Sequence, residues 1–235
     1  MTAPPSYPNP ELSRWRFPEG VAAATLRYTV MRRVLQVVMS AMWKVRVFNR
    51  HYEPASGGAV YICNHQSFLD PMLVGFSLRR PMSYMARDSL FHTPGFKQLI
   101  EAFNAFPVRR GTADTGALKE AMRRLKNGGQ VLVFAEGTRT EDGTLREFLP
   151  GVALLSQRAA DWTIPVLIDG AFEAWPRSQA LPSPGSVMVQ YAPPIAQAKA
   201  RKMKSEELVR CVRQQLIDIQ RDVRRRAGRP ELQYD

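Results

Sequence analysis

The stretch Ala59-Val60-Tyr61-Ile62-Cys63-Asn64-His65-Gln66-Ser67-Phe68-Leu69-Asp70-Pro71 sets the frame for the whole chain. Its first five residues are apolar without alternation, the pattern of a strand buried on both faces. Pro71 suits the first turn of a helix, and the spacing predicts one over 71–78. The polar run between them therefore lies at the carboxyl end of a strand. In a parallel sheet that end opens onto the crevice where ligands bind.

The same alternation continues outward. Strands are predicted at 82–86, 105–108, 130–134, 164–168 and 186–191, and helices at 95–103, 113–126 and 150–160. Asn127, Gly128 and Gly129 stop the helix over 113–126. Ser205 is a candidate cap for a last helix with Leu208, Val212, Leu216, Ile219 and Val223 on one face. Strands alternating with helices predict an α/β fold: a mostly parallel mixed sheet flanked by helices.

Upstream, Pro4, Pro5, Pro8, Pro10 and Pro18 exclude a long helix from the first twenty residues. A helical pattern then runs from Val21 to Phe48. Leu26, Val30, Val34, Val37, Val38, Met42 and Val45 form an apolar stripe opposite Arg32, Gln36, Ser40 and Lys44. Its uncharged part, Val34 to Trp43, is too short to cross a bilayer, which takes roughly 20 apolar residues. A helix packed on the protein's own core shows the same pattern as one lying in lipid headgroups. The expected organisation is an arm and amphipathic helix over 1–48, followed by one globular unit over 49–235.

The chain has 235 residues, 45% of them hydrophobic and 23% charged, which excludes a disordered chain. It carries 33 Lys plus Arg against 21 Asp plus Glu, a formal charge of +12. That excess predicts an anionic partner. The positive residues are scattered and no basic-aromatic binding motif stands out, so nucleic acid is not expected to be that partner. Two distant cysteines, Cys63 and Cys211, make no disulfide framework, and three dispersed histidines offer no metal-ligand spacing. No metal is expected. The N-terminus shows no basic cluster followed by an apolar core, so no signal peptide is expected.

Three clusters fall after predicted strands and so share one rim. The first is Asn64 to Asp70. His65 and Asp70 sit about 140° apart around a continuous helix, so they meet only if His65 precedes the helix and Asp70 lies in its first turn. Ser67 is then a candidate cap with Asp70 as its capping-box partner; alternatively Asp70 caps a helix that begins at Pro71. In the chemical reading Asp70 orients the imidazole and His65 takes a proton from a substrate hydroxyl. The second cluster is Phe106-Pro107-Val108-Arg109-Arg110-Gly111, whose arginines suit phosphate. The third is Phe134-Ala135-Glu136-Gly137-Thr138-Arg139. Gly137 permits close backbone approach, Thr138 offers a hydroxyl, and Arg139 offers a planar fork. Glu136 can orient Arg139 or bind a hydroxyl.

Together these clusters resemble the glycerolipid acyltransferase family, best known for 1-acyl-glycerol-3-phosphate acyltransferase activity. The family's ordered blocks are Asn-His-x-Ser-x-x-Asp, matched by Asn64 to Asp70; a hydrophobic run ending in Arg, matched by Phe106 to Arg110; Phe-Pro-Glu-Gly-Thr-Arg, matched by Phe134 to Arg139; and an apolar-Pro-Val strand, matched by Ile164-Pro165-Val166. Arg87, Leu90, Phe91, Pro94 and Gly95 also look like family positions upstream of the second block. The resemblance runs from about Val45 to Tyr191, and the first and third blocks are its most specific parts. Ala135 stands where the family usually has proline, which is expected to loosen that turn. Arg109 stands where an acidic residue is frequent, which adds positive charge beside the site.

The resemblance implies that His65 is the general base and Asp70 its partner. Arg110, Glu136, Gly137, Thr138 and Arg139 would hold the acceptor's glycerol phosphate. An acyl group would pass from acyl-CoA or acyl-ACP, as co-substrate, to the free hydroxyl of a lysophospholipid, with no further cofactor. Another lyso-lipid acceptor, such as lyso-ornithine lipid, fits the same motifs. A non-catalytic protein that binds membranes or nucleic acid is the reading from a different class. The expected location is the cytoplasmic face of a membrane, peripheral or monotopic, on an anionic lipid surface.

Overall fold

The computed structural model describes residues 26–93, 95–109 and 114–234. Among these residues eight strands form one sheet: β1 (Arg46–Phe48), β2 (Ala59–Cys63), β3 (Met82–Arg87), β4 (Ala105–Val108), β5 (Gln130–Phe134), β6 (Trp162–Asp169), β7 (Met188–Tyr191) and β8 (Ile195–Ala196). Their order is β1-β7-β6-β2-β5-β3-β4, with β8 beside β6. The pairs β6–β7 and β6–β8 are antiparallel; the others are parallel. The expected mixed, mostly parallel sheet is present.

The helices among the same residues are α1 (Leu26–Met42), α2 (Asp70–Gly75), α3 (Phe96–Ala102), α4 (Thr115–Lys126), α5 (Ala153–Arg158), α6 (Ala171–Ala174), α7 (Gln197–Ala200) and α8 (Ser205–Arg226). They cover both faces. Val60, Ile62, Val131 and Val133 point into the core built with α4, α5 and α8, where Leu125, Leu155, Leu216 and Ile217 are buried. Tyr61, Cys63, Leu132, Ile164 and Val166 point into the other, with Leu73, Val74, Met39 and Trp43. A strand walled on both sides is mostly apolar, which is why β2 and the Val131–Phe134 part of β5 read as apolar runs.

Three elements differ from their sequence-based expectation. The helix predicted to reach Phe48 ends at Met42, because the next residues join the sheet: Lys44 N and Arg46 N donate to Gly185 O (3.0 Å) and Val187 O (2.9 Å). Backbone pairing with β7 overrides the local helical period. The stretch 150–160 splits into a single 3-10 turn, Pro150–Val152, and α5. The helix predicted over 71–78 begins one residue earlier, at Asp70, and ends at Gly75. The predicted arm and the start of the helical pattern, residues 1–25, lie outside the described residues.

The apolar stripe of α1 faces outward. Leu26 is 80% exposed and Val37 70%, and Val30, Val34, Val38 and Met42 are exposed beside them. The polar stripe partly faces the body. Arg32 donates to the carbonyls of Leu78 and Arg79, and Gln36 donates to that of Phe76. Those carbonyls follow α2, where the helix ladder leaves acceptors open. Met39 and Trp43 are buried, and the Trp43 indole donates to Ser183 O at 2.8 Å. Among the described residues, no helix is long and apolar enough to cross a membrane.

Candidate active site

The register of two parallel strands assembles the site. β2 and β5 pair with Cys63 opposite Phe134, so the loops that leave them start side by side. Ala135 N extends the ladder by one bond, donating to Cys63 O at 3.1 Å. A proline there has no N–H to give. Contrary to the expected loosening, the alanine adds a hydrogen bond to this turn.

Beyond Cys63 the first loop is held on three sides. The buried Asn64 side chain continues the pairing with β6: its amide donates to Ile168 O (2.9 Å), and its oxygen accepts from Ile168 N (2.8 Å). His65 N donates to Glu136 Oε1 at 2.8 Å, and His65 O accepts from Thr140 N at 2.8 Å. The imidazole stacks on Phe134, with centroids 3.9 Å apart and planes within 15°.

His65 Nδ1 lies 2.7 Å from Asp70 Oδ2. The same oxygen accepts from Gln66 N (2.5 Å) and Ser67 N (2.7 Å). The expected juxtaposition of His65 and Asp70 is therefore present, but neither capping alternative takes its full form. Asp70 is the first residue of α2, and its carboxylate reaches back over the loop. Ser67 Oγ accepts from Leu69 N (3.3 Å) and donates to Trp175 O (2.8 Å). Two backbone donors fix the carboxylate, so the imidazole meets an acceptor already oriented. With Nδ1–H donating to Asp70, Nε2 of the neutral imidazole carries the lone pair.

The second loop supplies the neighbouring groups. Glu136 is buried, and burial pushes its carboxyl up to about 8, against the pull of the His65 and Arg146 backbone N–H groups. Gly137 has φ 71°, a left-handed backbone conformation that favours glycine. Thr138 is half-buried on the rim. The Arg139 guanidinium lies 3.6 Å from the centroid of the Phe68 ring. Phe68 in turn packs at 5.2 Å against Trp175.

The structure thus gathers His65, Asp70, Glu136, Gly137, Thr138 and Arg139 at one sheet end. Arg110 lies outside the described residues. Arg109 is exposed and turns to Asp114, which accepts from its backbone N at 2.8 Å and also caps α4 through Ala117 N.

A mostly apolar cavity of about 400 Å³ has Phe134, the ring on which the imidazole stacks, in its wall. Phe134 and Gly137 line its end nearest the loop, and Met85, Val108, Leu118, Leu149 and Leu155 line the rest. Its residues come from segments far apart in the chain, which is why no local pattern announces it. Sequence reasoning also assigns no role to Phe68 or Phe134, although both sit inside the quoted blocks. A separate, open depression lined by Gln157, Arg201 and Lys204 includes none of these groups.

Comparison with known proteins gives the chain's family. The 1-acyl-sn-glycerol-3-phosphate acyltransferase of Bacillus subtilis is 27% identical over 182 residues, spanning 77% of this chain and 88% of the relative. The chloroplastic 1-acyl-sn-glycerol-3-phosphate acyltransferase LPAT1 of Arabidopsis thaliana is 30% identical over 63% of this chain and 42% of its own length. The crystal structure of the 1-acyl-sn-glycerophosphate acyltransferase PlsC of Thermotoga maritima shares the fold, with a TM-score of 0.60 and 24% identity. That match covers 82% of this chain and 84% of the other. The sequence model of the Acyltransferase family matches residues 44–169, more than half of the chain. The chain therefore belongs to the Acyltransferase family.

Proposed function

We propose that the protein transfers a fatty acyl group from an acyl thioester, acyl-CoA or acyl-ACP, to the free hydroxyl of 1-acyl-glycerol-3-phosphate, forming phosphatidic acid. The observation that carries this reading is the imidazole of His65, 2.7 Å from a fixed carboxylate and stacked on a wall of an apolar cavity. The names of the relatives supply the acceptor.

In this mechanism the acceptor oxygen attacks the thioester carbonyl while His65 Nε2 takes its proton. Asp70 balances the positive charge that appears on the ring. The tetrahedral intermediate collapses, the C–S bond breaks, and the imidazolium returns the proton to the leaving sulfur. General-base help of this kind is worth about 10²–10⁴ in rate. The thioester is already activated, so the scheme calls on no cofactor beyond the co-substrate. Arg139, with Arg110, Glu136, Gly137 and Thr138, holds the glycerol phosphate. The cavity receives an acyl chain.

The outward apolar stripe of α1 supports a peripheral or monotopic position on an anionic membrane, at its cytoplasmic face. A helix that turns its apolar side away from the core lowers its free energy by lying in the interface. Acceptor and product both reside there. Nucleic acid has no part in this reading.

The deciding assay combines purified protein, a long-chain acyl-CoA or acyl-ACP and a panel of lyso-lipids, with thiol release and lipid product followed together. Lysophosphatidate is expected to be the best acceptor. Thiol release with lyso-ornithine lipid but not lysophosphatidate would overturn the acceptor, and no acyl transfer to any of them would overturn the activity.

A further inference from the structure

We propose that Gln220 and Tyr234, at the far end of the chain, are positioning residues for His65, acting through Gln66. The proposal rests on His65 being the base. The family match ends at residue 169, so both residues lie beyond it.

The connection begins at the residue after the imidazole. Gln66 is completely buried, and its side-chain amide is used at both ends. Nε2 donates to Gly143 O at 2.9 Å, and Oε1 accepts from Phe172 N at 3.3 Å. Gly143, at φ 88°, turns its carbonyl toward two donors at once. The second donor is Gln220 Nε2 of α8, at 3.3 Å.

Gln220 is buried as well, and nothing about its orientation is free. Its amide nitrogen also donates to Asp169 Oδ1 at 3.1 Å, and its oxygen accepts from the Tyr234 hydroxyl. Flipping the amide would set its oxygen against a carboxylate and a carbonyl. Asp169, at the end of β6, is held in turn by Arg224 (2.9 Å) and Arg229 (3.0 Å). The Tyr234 hydroxyl accepts from Leu145 N at 3.3 Å, which fixes the segment that carries Gly143.

His65 is thus flanked by two clamps. Asn64, its upstream neighbour, is bound to β6, and Gln66, its downstream neighbour, is bound to a network closed by the last helix and tail. Buried polar networks of this kind are stiff because each unmade bond is costly. Releasing Gly143 from Gln220 leaves Gln66 hanging on a looser turn, and the imidazole can drift from Asp70. A misplacement of about 1 Å at a reacting group can cost on the order of a hundredfold in rate.

The test uses full-length protein carrying Tyr234→Phe, Gln220→Met, Gln66→Met or the Gln66→Met/Gln220→Met pair. All keep the side chain's approximate size while abolishing its hydrogen bonds to the network. Three readouts are taken: kcat and KM with lysophosphatidate and acyl-CoA, the melting temperature, and the ¹⁵N shifts of His65 Nδ1 and Nε2. Tyr234→Phe and Gln220→Met are expected to lower kcat by about tenfold with both KM values within about twofold, and to move the His65 shifts. The double variant is expected to be no worse than Gln66→Met alone, because the two act in series. A lower melting temperature with unchanged kcat and unchanged His65 shifts would overturn the proposal, as would additive losses in the double variant. Tyr234→Phe decides the matter if Gln220→Met does not fold. A wild-type protein inactive on lysophosphatidate would refute the acceptor, while the His65 shifts would still settle the coupling.

Discussion

His65 and Phe134 lie face to face, 3.9 Å apart and within 15° of parallel, although one sits in the loop after β2 and the other ends β5. The stack holds the ring plane, and Asp70 holds its edge. Together they fix the imidazole's orientation, and the same phenyl ring forms part of the cavity wall. A base so fixed loses little freedom when substrate arrives.

Asp70→Asn is expected to reduce kcat by about 10²–10⁴-fold with little change in either KM. The amide oxygen can take the place of Oδ2 and serve both the imidazole and the loop N–H groups, but a neutral amide cannot balance an imidazolium. His65→Ala should be at least as inactive, since Asp70 has no second base to orient. Steady-state kinetics on both variants, with circular dichroism to confirm folding, checks this; full activity in His65→Ala would falsify the mechanism.

Arg139 and Phe68 should act as a pair. Arg139→Lys keeps the charge but gives up the planar stack, so the KM for lysophosphatidate is expected to rise while that for acyl-CoA stays put. Phe68→Leu removes only the ring face, and a cation–π contact of about 0.5–1 kcal/mol predicts a two- to fivefold rise. A change confined to the acyl donor would contradict the assignment of Arg139 to the phosphate.

Glu136 gives a pH signature. Its carboxyl is raised to about 8 in the fold and titrates near 4.3 in an unfolded chain. Between those values the folded protein holds a proton that the unfolded chain has lost, so stability falls as pH rises across that window and levels off above it. Glu136→Gln keeps an oxygen for His65 N and removes the titration. Its melting temperature relative to wild type should therefore increase from about pH 5 to about pH 8 and level off above that. Parallel curves for the two proteins would show that Glu136 is not the group responsible.

The orientation of α1 predicts where membrane binding resides. Val34→Glu with Val37→Glu places two charges on the outward stripe without touching Arg32, Gln36, Met39 or Trp43. Co-sedimentation with anionic vesicles is expected to fall several-fold while the melting temperature holds. Undiminished binding would move the attachment elsewhere. Removing residues 1–48 outright is a poorer test, because it takes away β1 and the buried Trp43.

Much of this is legible in the chain before it folds. Apolar runs such as Val131 to Val133 announce buried strands because a strand covered on both faces favours apolar side chains along most of its length. The blocks Asn64–Asp70 and Phe134–Arg139 are recognisable because their chemistry is written in contiguous residues. Less legible is the end of α1. The stripe from Leu26 to Met42 has helical period, and Val45 continues that period toward Phe48. What stops the helix is Gly185 and Val187, distant residues that offer Lys44 and Arg46 a sheet edge.

By itself, then, the sequence determined the kind of fold, the strand ends and the residues fit for acid–base work, since these depend on the spacing of neighbours along the chain. Tertiary structure alone decided that Glu136 meets His65 across 71 residues, that Phe134 lies beneath the imidazole, that α1 turns its apolar side outward, and that the tail closes on Gln220. Those facts depend on which strand pairs with which and in what register. Strand pairing is a bond between remote segments, and local periodicity carries no record of it.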